Sequence, residues 1–374
     1  MGAKAVIAGI GQTAFGKLPG RSTISLNMEA CRKAVADAGI EKDVIDGLLV
    51  KVPTSRVEMM YGQTLAEAMG LEPRFGGVFD QGGASNISMI AIAAMAIEAG
   101  QCEVVLVTLA DNPKTGTRQA YEKPWGDAAD FGWSSVVAGY AMIAQRYFHE
   151  FAGAEDLFRE IAIACRTHGA ANPNAQLRMP LDAGTYANAP WVVEPLRRDD
   201  CCLISDGAAA VVVMSERKAR ELGVEAPVPV LGFGQGNSSS DVTLRSDLTQ
   251  TRADVSAQTA FRMAGLGPGD MDCAQIYDCF TVTVAMTLES YGFGSREALT
   301  DLARNGGFRN DGALPLNTSG GLLSETGMPG LQLVLEGVRQ MRGQSTSQVK
   351  DAARCIVSNQ GGIMHTHSTL ILGQ

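Results

Sequence analysis

The sequence is short of the groups on which most site chemistry is built. Its 374 residues hold four histidines and eight cysteines, and no Cys-x-x-Cys pair occurs, so no zinc knuckle or ribbon is expected. Vicinal Cys201-Cys202 cannot chelate in that way, and at this length a disulfide framework is not expected either; the thiols read as small packing groups. No stretch reaches about 18 uninterrupted apolar residues, so no membrane-spanning helix is expected. Met1 to Thr13 lacks a charged segment running into a long apolar one, so a secretory leader is not expected and a cytoplasmic location is. Positive charge is also in deficit, with 31 Lys and Arg against 40 Asp and Glu. A net charge of −9 argues against a nucleic-acid partner, whose phosphates require clustered basic residues. A small anionic ligand needs only a local patch and stays open. Aromatics are scarce at 6%.

What is abundant is glycine, 43 residues, within a 45% hydrophobic and 19% charged chain. That balance is globular, and the glycines fall at strand-to-helix turns. Ala5-Val6-Ile7-Ala8 reads as a buried strand, followed by a helix capped by Ser22 or Thr23 and ended by Gly39. Asp46 then leads into a strand at Leu48-Leu49-Val50. The pattern returns in Pro227 to Gly232, a helix from Ser256 to Ala264 ended by Gly265, and Asp272 before Ala274-Gln275-Ile276-Tyr277. The step from Gly39 to Asp46 equals that from Gly265 to Asp272. Val78-Phe79-Asp80, a Gly-rich turn, a small-residue helix over 85–100 and the strand 104–107 likewise match Leu314-Pro315-Leu316, a Gly-rich turn, a helix over 329–343 and the strand 355–357. Strand, helix, strand, turn, helix, strand thus occurs twice, which predicts a duplicated α/β chain. Its halves are 1–222 and 223–374, each with a mostly parallel sheet and with small residues on the two central helices. A loop insertion at about 113–198, carrying Trp125, Trp133 and Trp191, covers the active-site end. Gly9-x-Gly11-x-x-Ala14 imitates a dinucleotide fingerprint, but no helix starts there and no acidic residue follows at the right distance, so a plain turn is preferred.

A duplicated α/β chain with Gly-rich turns feeding two central helices resembles the thiolase superfamily, and most of all its sterol-carrier-type, thiolase-like branch. The likeness rests on Ser205-Asp206-Gly207-Ala208, Tyr277-Asp278-Cys279-Phe280-Thr281, Leu314 to Glu325, Val338 to Gly343 and Ser368 to Gly373, and it runs nearly end to end. The resemblance implies a thiolase-like fold of two βαβαβ halves in five α-β-α-β-α layers. It also implies an acyl-CoA thioester as substrate, no cofactor beyond that coenzyme A, no resident metal, and a closed dimer paired through the region from Val78 to Ser88.

The departures from the family set the chemistry. A thiolase needs a cysteine at the start of the first central helix, where the helix end lowers the thiol pKa and backbone N–H groups hold the oxyanion. That place falls on Gly83, in Gln81-Gly82-Gly83-Ala84-Ser85-Asn86, and no base is evident for Ser85. The family's Gly-His-Pro reads Gly327-Met328-Pro329, and its last catalytic cysteine is missing from Ser358-Asn359-Gln360-Gly361-Gly362. Tyr277-Asp278-Cys279-Phe280 is similar to the motif of steroid side-chain retro-aldolases of this superfamily, which also lack the cysteine and pair with a small zinc-ribbon/OB-fold protein. In those enzymes the tyrosine is implicated in acid/base work, and a second catalytic tyrosine stands where this chain has Gly327.

A retro-aldol step suits the residues left, because it needs a base for the β-hydroxyl proton and donors for the enolate oxygen but no covalent nucleophile. Tyr277 is the first candidate base, and a phenol near pKa 10 needs help from neighbours. Asp278 points the other way along a strand. His365 or His367 could converge from the last loop. The backbone of Gly83, Ala84, Ser85, Gly361 and Gly362, with Asn317, would hold the enolate. Blander readings stand beside these. Tyr277 could be a packed strand-end residue, His149 a structural helix residue, His168 a bridge to the insertion, and Asp206 a turn former. Three functions remain open: a C–C lyase for an acyl-CoA, an acyltransferase with a non-standard site, and a non-catalytic acyl-CoA-binding subunit.

Overall fold

Short apolar runs and their glycine stops become the elements of one nine-stranded sheet and the helices around it. The computed structural model describes residues 5–374 apart from 118–129, 131, 134, 240 and 241. In the first half come β1 (Ala5–Gln12), α1 (Thr23–Asp37), β2 (Gly47–Val50), α2 (Tyr61–Met69), β3 (Phe75–Val78), α3 (Ser85–Glu98) and β4 (Val104–Asp111). The insertion holds α4 (Val136–Glu150), α5 (Ala154–Ala171), α6 (Ala183–Ala187) and the hairpin β5 (Trp191–Val193) and β6 (Leu196–Arg197). After β7 (Gly207–Ser215) and α7 (Glu216–Glu221), the second half runs β8 (Val228–Asn237), α8 (Ala253–Ala264), β9 (Cys273–Gln275), α9 (Thr281–Ser290), α10 (Arg296–Arg304), α11 (Gly321–Ser324), α12 (Gln332–Arg342), β10 (Arg354–Gly361) and β11 (Thr366–Gly373).

The sheet order, β3-β2-β4-β7-β1-β8-β11-β10-β9, reads as one pattern followed by its mirror. Leu316 bridges Ala274 in parallel and takes the place that β3 has beside β2. The sheet passes from one half to the other where Val6 and Ile7 of β1 pair with Pro229 and Val228 of β8. Helices α3 and α12 lie between the two halves of the sheet, in contact with strands of both. Helix α1 covers the outer face over β1, β7 and β4, and α8 covers β8 and β11. This gives the five layers.

Three expectations need correction. The sheet is mixed and not mostly parallel, because β7 runs antiparallel to β1 and β4, and β11 antiparallel to β8 and β10. Each half closes its repeat with a strand that returns in the opposite direction. Small residues also characterise only α3, which is apolar all round and buried as such helices must be. Helix α12 carries Leu, Val and Met together with buried Gln332, Glu336 and Gln340. The insertion, read as a loop, is largely helical among its described residues; Trp125 lies outside them.

The repeat extends to hydrogen bonds. The Asp46 carboxylate accepts from Glu103 N and Val104 N at 2.9 and 2.8 Å, at the first residue of β4. The Asp272 carboxylate accepts from Ala353 N and Arg354 N at 2.9 and 2.8 Å, at the first residue of β10. Each aspartate thus satisfies two N–H groups at the start of a strand.

Gly9 and Gly11 have a packing cause. A Cβ on Gly9 would lie 2.1 Å from Ala34 O and one on Gly11 2.2 Å from Ala30 O, because α1 crosses β1 at backbone contact. Gly232 and Gly234 stand in the same relation to α8. The glycine pair is therefore a helix seat. Gly9→Ala is expected to lower the unfolding free energy by about 1–3 kcal/mol through overpacking. Denaturant titration reads this directly, and a neutral substitution would remove the packing explanation.

Candidate active site

Tyr277 emerges two residues past β9, at the carboxyl end of a strand, where open α/β sheets form their ligand crevices. Its N–H donates to Ser358 Oγ at 3.0 Å and its carbonyl accepts from Thr283 Oγ1 at 2.8 Å. The half-buried ring lies between two glycines. A Cβ on Gly83 would stand 2.5 Å from the Tyr277 hydroxyl and 2.3 Å from Gln360 O. A Cβ on Gly330 would stand 2.9 Å from Tyr277 Cε2. The phenol thus occupies the space that any side chain at position 83, cysteine included, would need.

The two glycine loops meet at this point. A Cβ on Gly82 would be 2.9 Å from Gly361 Cα, and one on Gly361 would be 1.8 Å from Gln81 O. Ser85 is spent on closing its own loop: its hydroxyl accepts from Gln81 N and donates to Gly82 O, both at 2.7 Å. Ala84 O accepts from Ser368 Oγ at 2.9 Å, and Gln81 O from Thr366 Oγ1 at 3.0 Å, tying the first loop to β11. Gly83, Ala84, Ser85, Gly361, Gly362 and Tyr277 are brought together.

Of the other candidates, His365 stays beside the second loop and the rest separate. His365 is half-buried beside Gly362, with Nδ1 3.2 Å from Arg245 Nη2, and its carbonyl accepts from Ser238 N at 2.7 Å. His367 alternates to the opposite face from Thr366 and Ser368. It is buried against Tyr291, and loss of hydration pushes its pKa down to about 3, so it stays uncharged in the core. His168 is buried, with Nδ1 2.9 Å from Leu316 O, and ties α5 to the second half. Asn317, at φ +48°, accepts from Ile276 N at 2.7 Å and donates to Ile276 O at 2.9 Å. Its amide serves the strand end that carries Tyr277 rather than an enolate, which corrects the reading of Asn317 as a donor. Asp278 does point away from Tyr277: its carboxylate accepts from Leu322 N and Leu323 N at 2.7 and 3.2 Å, and burial pushes its pKa up to about 6. Gly327 has no room for a tyrosine in this backbone, since its Cβ would lie 1.6 Å from Leu203 O.

Sequence reasoning missed Tyr140, Gln360, Arg245 and Gly330. The Tyr140 hydroxyl donates to Gly362 O at 2.6 Å and accepts from Gln360 Nε2 at 2.9 Å. Only the Gly-Met-Pro-Gly string around Gly330 carried a usable signal. Tyr140 and Gln360 are 220 residues apart, with no pattern joining them. The thiols are poor nucleophiles here: burial pushes Cys279 up to about 12 and Cys102 up to about 11.

Two glycine loops meeting over a phenol, on duplicated βαβαβ halves, define a thiolase-type scaffold stripped of its nucleophile. Residues 234–374 match the family described as thiolase C-terminal domain-like. A steroid side-chain-cleaving aldolase of Thermomonospora curvata is 34% identical over 99% of this chain and 97% of its own length. The 17-hydroxy-3-oxo-4-pregnene-20-carboxyl-CoA lyase of Mycobacterium tuberculosis is 33% identical, covering 99% of each. The solved Ltp2-ChsH2(DUF35) aldolase superposes with a TM-score of 0.89 at 34% identity, over 99% of this chain and 97% of that one. This chain belongs to the thiolase superfamily, in the thiolase-like branch that holds the side-chain-cleaving aldolases.

With Gly83 supplying no thiol, incubation with a labelled acyl-CoA followed by peptide mapping is expected to find no thioester. A stable label on Cys279 or Cys102 would overturn this and restore an acyl-cysteine route.

Proposed function

We propose that the chain cleaves a carbon–carbon bond of a β-hydroxyacyl-CoA by retro-aldol chemistry. The observation that carries this reading is the Tyr277 phenol standing in the space of the missing nucleophile. In the reaction a base takes the β-hydroxyl proton and the β-carbon becomes a carbonyl. The Cα–Cβ electron pair passes into the thioester as an enolate, which is then protonated at Cα to leave a shortened acyl-CoA. No electrons are left over, so the step needs no redox cofactor. In this reading Tyr277 exchanges the hydroxyl proton, and N–H groups of the loops at Gly83–Ala84 and Gly361–Gly362 would hold the developing enolate oxygen.

The named relatives support this substrate class. The mycobacterial lyase is named for a 17-hydroxy, 20-carboxyl-CoA steroid, a hydroxyl β to the thioester. The acyltransferase reading is disfavoured by Gly83 and by the raised thiols. A partner of the DUF35 kind, a small zinc-ribbon/OB-fold protein, is supported by the paired solved aldolase. Eight free cysteines suit a reducing, cytoplasmic compartment, and no described helix is long and apolar enough to cross a membrane.

The deciding experiment is mass spectrometry of products from a panel of β-hydroxyacyl- and β-ketoacyl-CoA esters. The expected result is a shortened acyl-CoA and a carbonyl product from a β-hydroxy ester, with or without a DUF35 protein present. Tyr277→Phe is expected to keep the fold and ligand affinity but lose about 10²–10⁴-fold in turnover. Full turnover in that variant together with loss in His365→Ala would make Tyr277 structural and the mechanism wrong.

A homodimer is proposed through β3, which ends the sheet and has Val78 44% exposed. An isologous strand pair there would satisfy its free edge. Sedimentation at micromolar concentration is expected to show a dimer; monomer alone, with any partner present, would count against it.

A further inference from the structure

The insertion reaches the second glycine loop through the Tyr140 hydroxyl. Tyr140, on α4, is buried and stacks on Phe280 with ring centroids 4.2 Å apart. Its hydroxyl donates to Gly362 O at 2.6 Å, and the Gln360 side-chain nitrogen that donates to it at 2.9 Å also reaches Cys279 Sγ at 2.9 Å. Beside Tyr140, Gly139 makes way for Ile363, whose Cδ1 would lie 2.4 Å from an added Cβ. Arg245 Nη2 donates to Ile363 O, so two successive carbonyls of this loop are held from outside it.

One phenol therefore brackets Gly361. It holds residue 360 by its side chain and residue 362 by its carbonyl. Gln360 O and the Tyr277 hydroxyl both lie within 2.5 Å of the point where a Gly83 Cβ would sit. The backbone facing the Tyr277 phenol is thus fixed from α4, in the insertion of the first half. Burial raises the Tyr140 phenol well above its ordinary value, so it keeps its proton and remains a donor to Gly362 O.

We propose that Tyr140 is a positioning residue for Tyr277, holding the Gln360–Gly362 segment against the catalytic phenol. The inference rests on the reading of Tyr277 as the proton-transfer group. A phenylalanine at position 140 keeps the ring stacked on Phe280 and removes only the clamp, so the fold is expected to survive.

The test uses the β-hydroxyacyl-CoA ester cleaved by the wild-type chain. Tyr140→Phe is expected to lower kcat about 10–100-fold through misplacement of the loop, with KM within about two-fold. In a Tyr277→Phe background it is expected to cost less than about two-fold more, because the two changes act on one unit. Independent losses in the double variant, or a raised KM at unchanged kcat, would overturn the proposal. Hydrogen exchange supplies an arm that needs no turnover: amides 361–363 are expected to exchange about tenfold faster in Tyr140→Phe while those of α3 and β7 hold. Unchanged exchange overturns the clamp even if the wild-type chain cleaves nothing. Full turnover of Tyr277→Phe overturns the parent reading and the coupling with it, whatever the exchange result.

Discussion

Gly82 and Gly361 touch backbone to backbone, and the catalytic end of the fold is arranged around that contact. Side chains at the junction would hold the loops apart: a Cβ on Gly361 would overlap Gln81 O, and one on Gly83 would overlap Tyr277 and Gln360. The contact brings the start of α3 within reach of the end of β10, although the two belong to different halves of the chain. Thr366 and Ser368 then fasten the first loop to β11. Placement of Tyr277 follows, because its ring fills the slot that the glycines leave.

That slot explains why the chemistry differs from acyl transfer on the same scaffold. An acyl-cysteine route needs a thiol at the helix start with room behind it, and the phenol has taken the room. The buried cysteines nearby are protonated packing groups. What the scaffold keeps is the pair of glycine loops, in contact at Gly82 and Gly361. A phenol in place of a nucleophile suits bond cleavage next to the thioester rather than acyl transfer.

The glycine spacing made the fold legible. The equal steps from Gly39 to Asp46 and from Gly265 to Asp272 announced the duplication, and the two aspartates make equivalent pairs of bonds at β4 and β10. Gly83 and Tyr277 stood out because each departs from an otherwise continuous family pattern, and the structure sets the two side by side. Strand direction was not legible: a returning strand such as β7 is buried on both faces and has the same apolar run as a parallel one. Asn317 looked like a donor because a buried amide in a glycine loop has the right chemistry, and its bonds to Ile276 appear only in three dimensions. Tyr140 was hidden by distance, on a helix within a segment read as loop.

The narrow seam between β1 and β8 has an evolutionary consequence. One half alone would keep an outer helix on one side of its sheet and its central helix on the other, with the far side of that central helix, packed here against the other half, left uncovered. The ancestor implied by the repeat is a two-fold pair of half-length chains, each lending its inner helix to fill the space between them. Fusion made that pairing permanent and freed the two copies to diverge. The loop before α3 could then lose its side chains while the strand end after β9 acquired a phenol, a division of labour closed to identical subunits.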